Sequence, residues 1–96
     1  MAKFLTLYRF HRPVKGGGPE RFKKFRALIE KEGGQILAFH GLVGPYDVMV
    51  LADYPSIRAA AKGAAAVGNL ITAESTTLPA LEPDDFLQLL KELSEE

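Results

Sequence analysis

Gly44-Pro45-Tyr46-Asp47-Val48-Met49-Val50-Leu51-Ala52 joins a Gly-Pro turn to five consecutive apolar residues. A strand with no polar residue at alternate positions is one whose two faces are both covered. Residues 48–52 therefore predict an interior strand. The preceding stretch, 35–43, reads as a second strand, with Leu37 and Phe39 on one face and Ile36 and Ala38 on the other, and the Gly-Pro pair turns the chain between the two. Together they predict a central hairpin.

Working outward, residues 3–11 alternate Phe4, Thr6, Tyr8 and Phe10 against Leu5, Leu7 and Arg9, which predicts a first strand. The stretch Arg12 to Gly18 reads as a mobile loop, and Pro19 and Glu20 then suit the first turn of a helix. Phe22, Phe25, Leu28, Ile29 and Glu32 share that helix's face, and Gly33-Gly34 stops it. Beyond the hairpin, Pro55-Ser56 opens a second helix whose Ile57, Ala60, Ala61, Ala64 face is small enough for close approach to a sheet. Gly68-Asn69 is expected to close it, and residues 70–81 are expected to form a fourth strand. A third helix starts near Pro83, with Phe86, Leu89, Leu90 and Leu93 at i, i+3, i+4, i+7.

The order βαββαβ predicts an α+β, ferredoxin-like fold, in which two helices lie on one face of a four-stranded antiparallel sheet, with a C-terminal helix added. Two helices cover one face only, yet the first three strands are apolar on both. A sheet-to-sheet homodimer, or a higher homo-oligomer, is the expected cover, since a large bare apolar face invites aggregation.

The 96 residues make a single domain, 1–96, and 47% hydrophobic with 25% charged residues is ordinary for a folded chain. No apolar run approaches the roughly 20 residues of a membrane span, and no signal segment is evident, so a cytoplasmic protein without membrane partners is expected. With no cysteine, thiolate catalysis and thiolate metal sites are excluded. The net charge is zero, but residues 1–26 carry eight Lys/Arg against one acid and residues 70–96 carry seven acids against one Lys. Such polarity suits a nucleic-acid or anion surface, or two complementary surfaces meeting within or between subunits, but solvated helix faces with packing complementarity are the favoured reading.

The chain resembles the GYD-domain family, named for a Gly-x-Tyr-Asp motif at the start of the third strand. The resemblance is carried by Gly44-Pro45-Tyr46-Asp47 leading into Val48-Met49-Val50, by Gly33-Gly34, by Pro55 with the Ala-rich second helix, and by Gly68-Asn69 before a Thr-rich strand. It implies a dimeric α+β barrel. The motif strand is also similar to that of the ligand-sensing domain of leucine-responsive (Lrp/AsnC) regulators, where small effectors bind between subunits. Extra residues between Asn69 and Pro79 predict a bulge or extension in the fourth strand.

His11 and His40 are the two histidines, and imidazole titrates near neutral pH. His40, near the end of the second strand and close in sequence to Tyr46 and Asp47, is the better candidate for a polar cluster in an apolar pocket. Tyr8, His40, Tyr46 and Asp47 are the candidate ligand-binding residues, and His40, Asp47 and Glu74 the candidate acids and bases. In the alternative, Asp47 holds the turn, Tyr46 packs, and His40 sits at a subunit edge. Glu74, in mid-strand, needs Tyr8 or Arg9 as a partner if buried, and otherwise guards a sheet edge. No His-x-His or His-Glu-x-x-His spacing is present, so no metal and no cofactor are expected. Gly16-Gly17-Gly18-Pro19 lacks the Gly-Lys-Ser/Thr ending of a phosphate loop. Aromatic residues among the basic ones, Phe22 and Phe25, are needed by the helix core, so no nucleic-acid partner is expected. Three functions follow: an oligomeric module binding a small, partly apolar ligand in or beside the subunit interface; a cofactor-independent monooxygenase or isomerase; or a structural assembly subunit.

Overall fold

A computed structural model describes residues 1–12 and 18–95, so the glycine-rich stretch read as a loop or phosphate cradle lies largely outside the described residues. The elements are β1 (Ala2–Phe10), α1 (Gly18–Lys31), β2 (Gln35–Gly41), β3 (Val48–Tyr54), α2 (Ile57–Ile71), β4 (Ala73–Ala80) and α3 (Pro83–Ser94). The four strands are antiparallel neighbours in the order β2-β3-β1-β4. This is the expected α+β, ferredoxin-like arrangement. β3 is interior, as its composition requires, but its hairpin partner β2 lies at the sheet edge and ends at Gly41, leaving Leu42 and Val43 exposed in the turn.

Burial alternates strictly along β1 and β3. Phe4, Thr6, Tyr8, Val48, Val50, Ala52 and Tyr54 are buried on the side where α1 and α2 pack, together with Phe25, Ile29, Ala60, Val67 and Ile71. The other side of the sheet, the open face, is covered by no element among the described residues. Across it runs an apolar row, Ala38, Leu51, Leu5 and Leu78, each paired with the next, and beside it the row His40, Met49, Leu7 and Thr76.

Four expectations need correction. First, β2 carries a bulge between Ile36 and Ala38, leaving Leu37 without an opposite residue. An inserted residue reverses the alternation beyond it, so Ile36 and Phe39 share the helix side, opposite Ala52 and Val50, while Ala38 and His40 face the open side. Second, α2 does not stop at Gly68-Asn69. It runs two residues further, to Ile71, and ends at Thr72, in the left-handed region (φ 54°, ψ 60°) with its N–H donated to Gly68 O. Gly68 serves packing instead: a Cβ there would lie 3.0 Å from Ala73 O. Third, the extra residues before Pro79 form this last turn of α2, and β4 pairs with β1 in unbroken register from Lys3↔Ala80 to Phe10↔Ala73, with Pro79 opposite Phe4.

At the helix start, the Ser56 hydroxyl accepts from the Ala59 N–H at 3.0 Å, an ordinary N-cap. Fourth, the packing face of α2 is not the expected Ile57, Ala60, Ala61, Ala64, since Ile57 and Ala61 are exposed; it is Ala60, Gly63, Ala64, Val67, Gly68 and Ile71, and its small residues have a definite occupant. Tyr54 is buried at the end of β3, edge-on to Phe4, and it is flanked by Gly34 and Gly63, where an added Cβ would come within 2.6 Å of its ring Cε1 and 2.7 Å of its hydroxyl oxygen respectively.

Candidate functional site

The Gly-Pro-Tyr-Asp turn splices the β2–β3 hairpin onto the end of β1. Pairing between β1 and β3 ends at Tyr8↔Val48, so the backbone of β1 beyond that point needs another partner on this side. Asp47 supplies it. Its N–H donates to Tyr8 O (2.8 Å), its carboxylate Oδ2 accepts from Phe10 N–H (2.8 Å), and its carbonyl accepts from Leu42 N–H (2.8 Å). A carboxylate in place of a strand carbonyl makes a charge-assisted bond. Replacing Asp47 with Ala is expected to lower stability by about 2 kcal/mol, the range for a hydrogen bond to a charged group, while Asp47→Asn, which keeps an acceptor oxygen, loses less than half of that. Urea denaturation followed by circular dichroism checks the ranking of the two variants.

The remaining candidates do not converge. Tyr8 is 1% exposed in the helix-side core, and its hydroxyl donates to Ala64 O at 3.2 Å. Burial pushes its phenol well above the ordinary range, so it remains a protonated donor bonded to α2. Burial, with the Glu32 carboxylate as a smaller cause, likewise raises the Tyr54 phenol. Tyr8 therefore faces away from His40, which lies on the open side of β2, opposite Met49, and is exposed. Glu74 sits on β4 at the far edge, exposed and ion-paired with Arg9 directly across from it. Three inter-strand spacings, about 14 Å, separate the His40 edge from the Glu74 edge. Tyr46 is half-buried beside Asp47. His11 is exposed just past β1, and its backbone N–H donates to Thr72 O. Among the described residues no three His, Asp or Glu side chains gather as a metal site would require.

What the residue pattern did not announce is a pocket on the helix side. Phe10, Phe22, Phe25, Phe39, Val48 and Ile71 line a cavity of about 130 Å³, with Gly18 and Arg21 completing the wall. The aromatic contacts that build it run from α1 to β2: Phe22 and Phe39 rings lie 4.8 Å apart, Phe25 and Phe39 5.4 Å, Phe22 and Phe25 5.8 Å. The β2 bulge makes this possible, because it turns Phe39 toward α1. A cavity of this volume takes a group of about the size of a benzene ring.

The fold and the Asp47 splice define a small ferredoxin-like α+β protein organised around a Gly-x-Tyr-Asp turn. The GYD domain matches residues 12–90, most of the chain, and the protein belongs to that family. No curated protein matches it. None of the helices among the described residues is long and apolar enough to cross a membrane.

Proposed function

We propose that the protein is a small homo-oligomeric binding module in which two copies pair their open faces, and each holds a small, largely apolar ligand group on the helix side of its sheet. The observation that carries the ligand reading is the aromatic pocket: its wall is almost wholly apolar, with Arg21 alone charged among its lining residues. A few polar groups at the rim of an apolar cavity are the usual composition of a small-molecule site. A ring-bearing or short-chain carboxylic acid fits both features. In this reading the ligand lies beside the helices rather than between the open faces. Binding is favoured over acid–base catalysis because Asp47 and Glu74 each already hold a partner, and His40 stands on the opposite face from the pocket.

Titration of the full chain with phenylacetate, followed by amide chemical shifts, tests the reading. Saturable shifts at Phe10, Phe39 and Val48 are expected, with Arg21→Ala weakening phenylacetate binding while leaving toluene binding unchanged. If neither probe produces saturable shifts around the pocket, the ligand reading is lost.

A further inference from the structure

Three walls of the aromatic pocket hang on one line of hydrogen bonds. Asp47 Oδ2 accepts from the Phe10 N–H at 2.8 Å, and the next residue, His11, donates its backbone N–H to Thr72 O at 3.0 Å. Val48 follows Asp47 in sequence, Phe10 precedes His11 and Ile71 precedes Thr72, and all three line the pocket. Both ends of this line are held by something other than ordinary strand pairing. On the β3 side, pairing has ended at Tyr8↔Val48, and the Asp47 carboxylate stands where a strand carbonyl would otherwise be. On the other side, Thr72 holds φ 54°, a region in which β-branched residues are outliers. Backbone kept in such a region is over-determined by its surroundings, and such places gather at ligand clamps.

We infer that Asp47 is a positioning residue of the pocket: its carboxylate sets Phe10 against Val48 and Ile71, so the Gly-Pro-Tyr-Asp turn shapes the site as well as closing a hairpin. The inference rests on the ligand reading proposed above and deepens it. Asp47 is not among the lining residues, and its carboxylate is engaged with the Phe10 N–H. It acts through the Phe10 wall. Phe10 is only half-buried and lies at the end of β1, so without that bond its ordering falls to the moment of binding. A wall fixed beforehand spares the ligand that cost.

Binding of toluene and of phenylacetate is measured for the full chain and for its Asp47→Ala, Asp47→Asn and Ser56→Ala variants, at a temperature where each is folded. Asp47→Ala is expected to weaken both probes about tenfold, the cost of ordering one residue during binding. Asp47→Asn keeps an acceptor oxygen and is expected to retain most of the affinity. A purely electrostatic role gives a different pattern, since loss of a carboxylate strengthens phenylacetate binding and leaves toluene alone. Ser56→Ala removes a helix cap at the opposite end of α2 from Ile71 and is expected to bind as the parent does. Unchanged toluene affinity in Asp47→Ala, or an equal loss in Ser56→Ala, overturns the assignment and leaves the pocket standing. If Asp47→Ala does not fold, amide exchange in the parent chain decides. Toluene at about ten times its Kd is expected to slow the Phe10 amide about tenfold and to leave the Ala59 amide, about 18 Å along α2 from Ile71, unchanged. No slowing at Phe10, or equal slowing at both, overturns the assignment. A parent chain that binds neither probe removes the ligand reading and this one with it.

Discussion

Gly34→Ala is expected to destabilise the protein by about 3 kcal/mol, at the upper end of the usual range for overpacking a core. The new Cβ would lie 2.6 Å from Tyr54 Cε1, 2.9 Å from its Cδ1 and 2.7 Å from Ile29 Cγ2. Both neighbours are buried, at 3% and 1% exposure, so neither can swing into solvent. Gly63 closes the other side of the same ring, and Phe4 sits edge-on to it with centroids 6.0 Å apart. Relief then requires α1 and β2, which Gly34 joins, to move off β3. For a domain of this size the loss corresponds to a fall in Tm of about 12 °C or more, readable by calorimetry. A fall of only a few degrees would show that the Tyr54 slot is not the tight element its geometry implies.

Leu51→Glu should act on association and leave the isolated fold nearly unchanged. Leu51 occupies the middle of the open face, paired with Leu5 on one side and Ala38 on the other. In a lone chain the new carboxylate reaches water, and a surface change of this kind usually shifts stability by less than about 0.5 kcal/mol. In a face-to-face pair two carboxylates enter an apolar contact without partners, at several kcal/mol each, so dimerisation is expected to weaken by at least about 1,000-fold. Sedimentation velocity across a concentration series reads this directly. A Leu51→Glu chain that associates as tightly as the parent would place the contact elsewhere.

Much of the fold was legible because its periodicities are clean. The unbroken apolar run of β3 implied an interior strand, and the apolar faces of α1 and α2 implied the helix layer. The bulge was not legible, and the reason is in the residues: Ile36, Leu37, Ala38 and Phe39 are all apolar, so either register buries something acceptable and hydropathy cannot choose between them. Gly68-Asn69 imitates a helix stop, but Gly68 is buried and its missing side chain admits the close approach of Ala73 O. The end of α2 was therefore masked by a packing requirement that only the fold reveals. At the site, the turn-holding role of Asp47 was within reach of the sequence. Tyr8 was too, since it shares the parity of Phe4 and Thr6. The pocket was not, because its Phe22, Phe25 and Phe39 meet from separate elements only after the bulge has redirected one of them.

The two outermost strands carry a consequence of their own. An exposed strand edge offers unpaired N–H and C=O groups to any passing chain and is a common route to uncontrolled fibre-like growth. Here β2 is broken by its bulge between Ile36 and Ala38, and β4 carries Pro79, which has no N–H to give. Lateral ladder growth is blunted on both flanks, so the face-to-face pairing proposed above would meet little competition from open-ended, edge-to-edge growth.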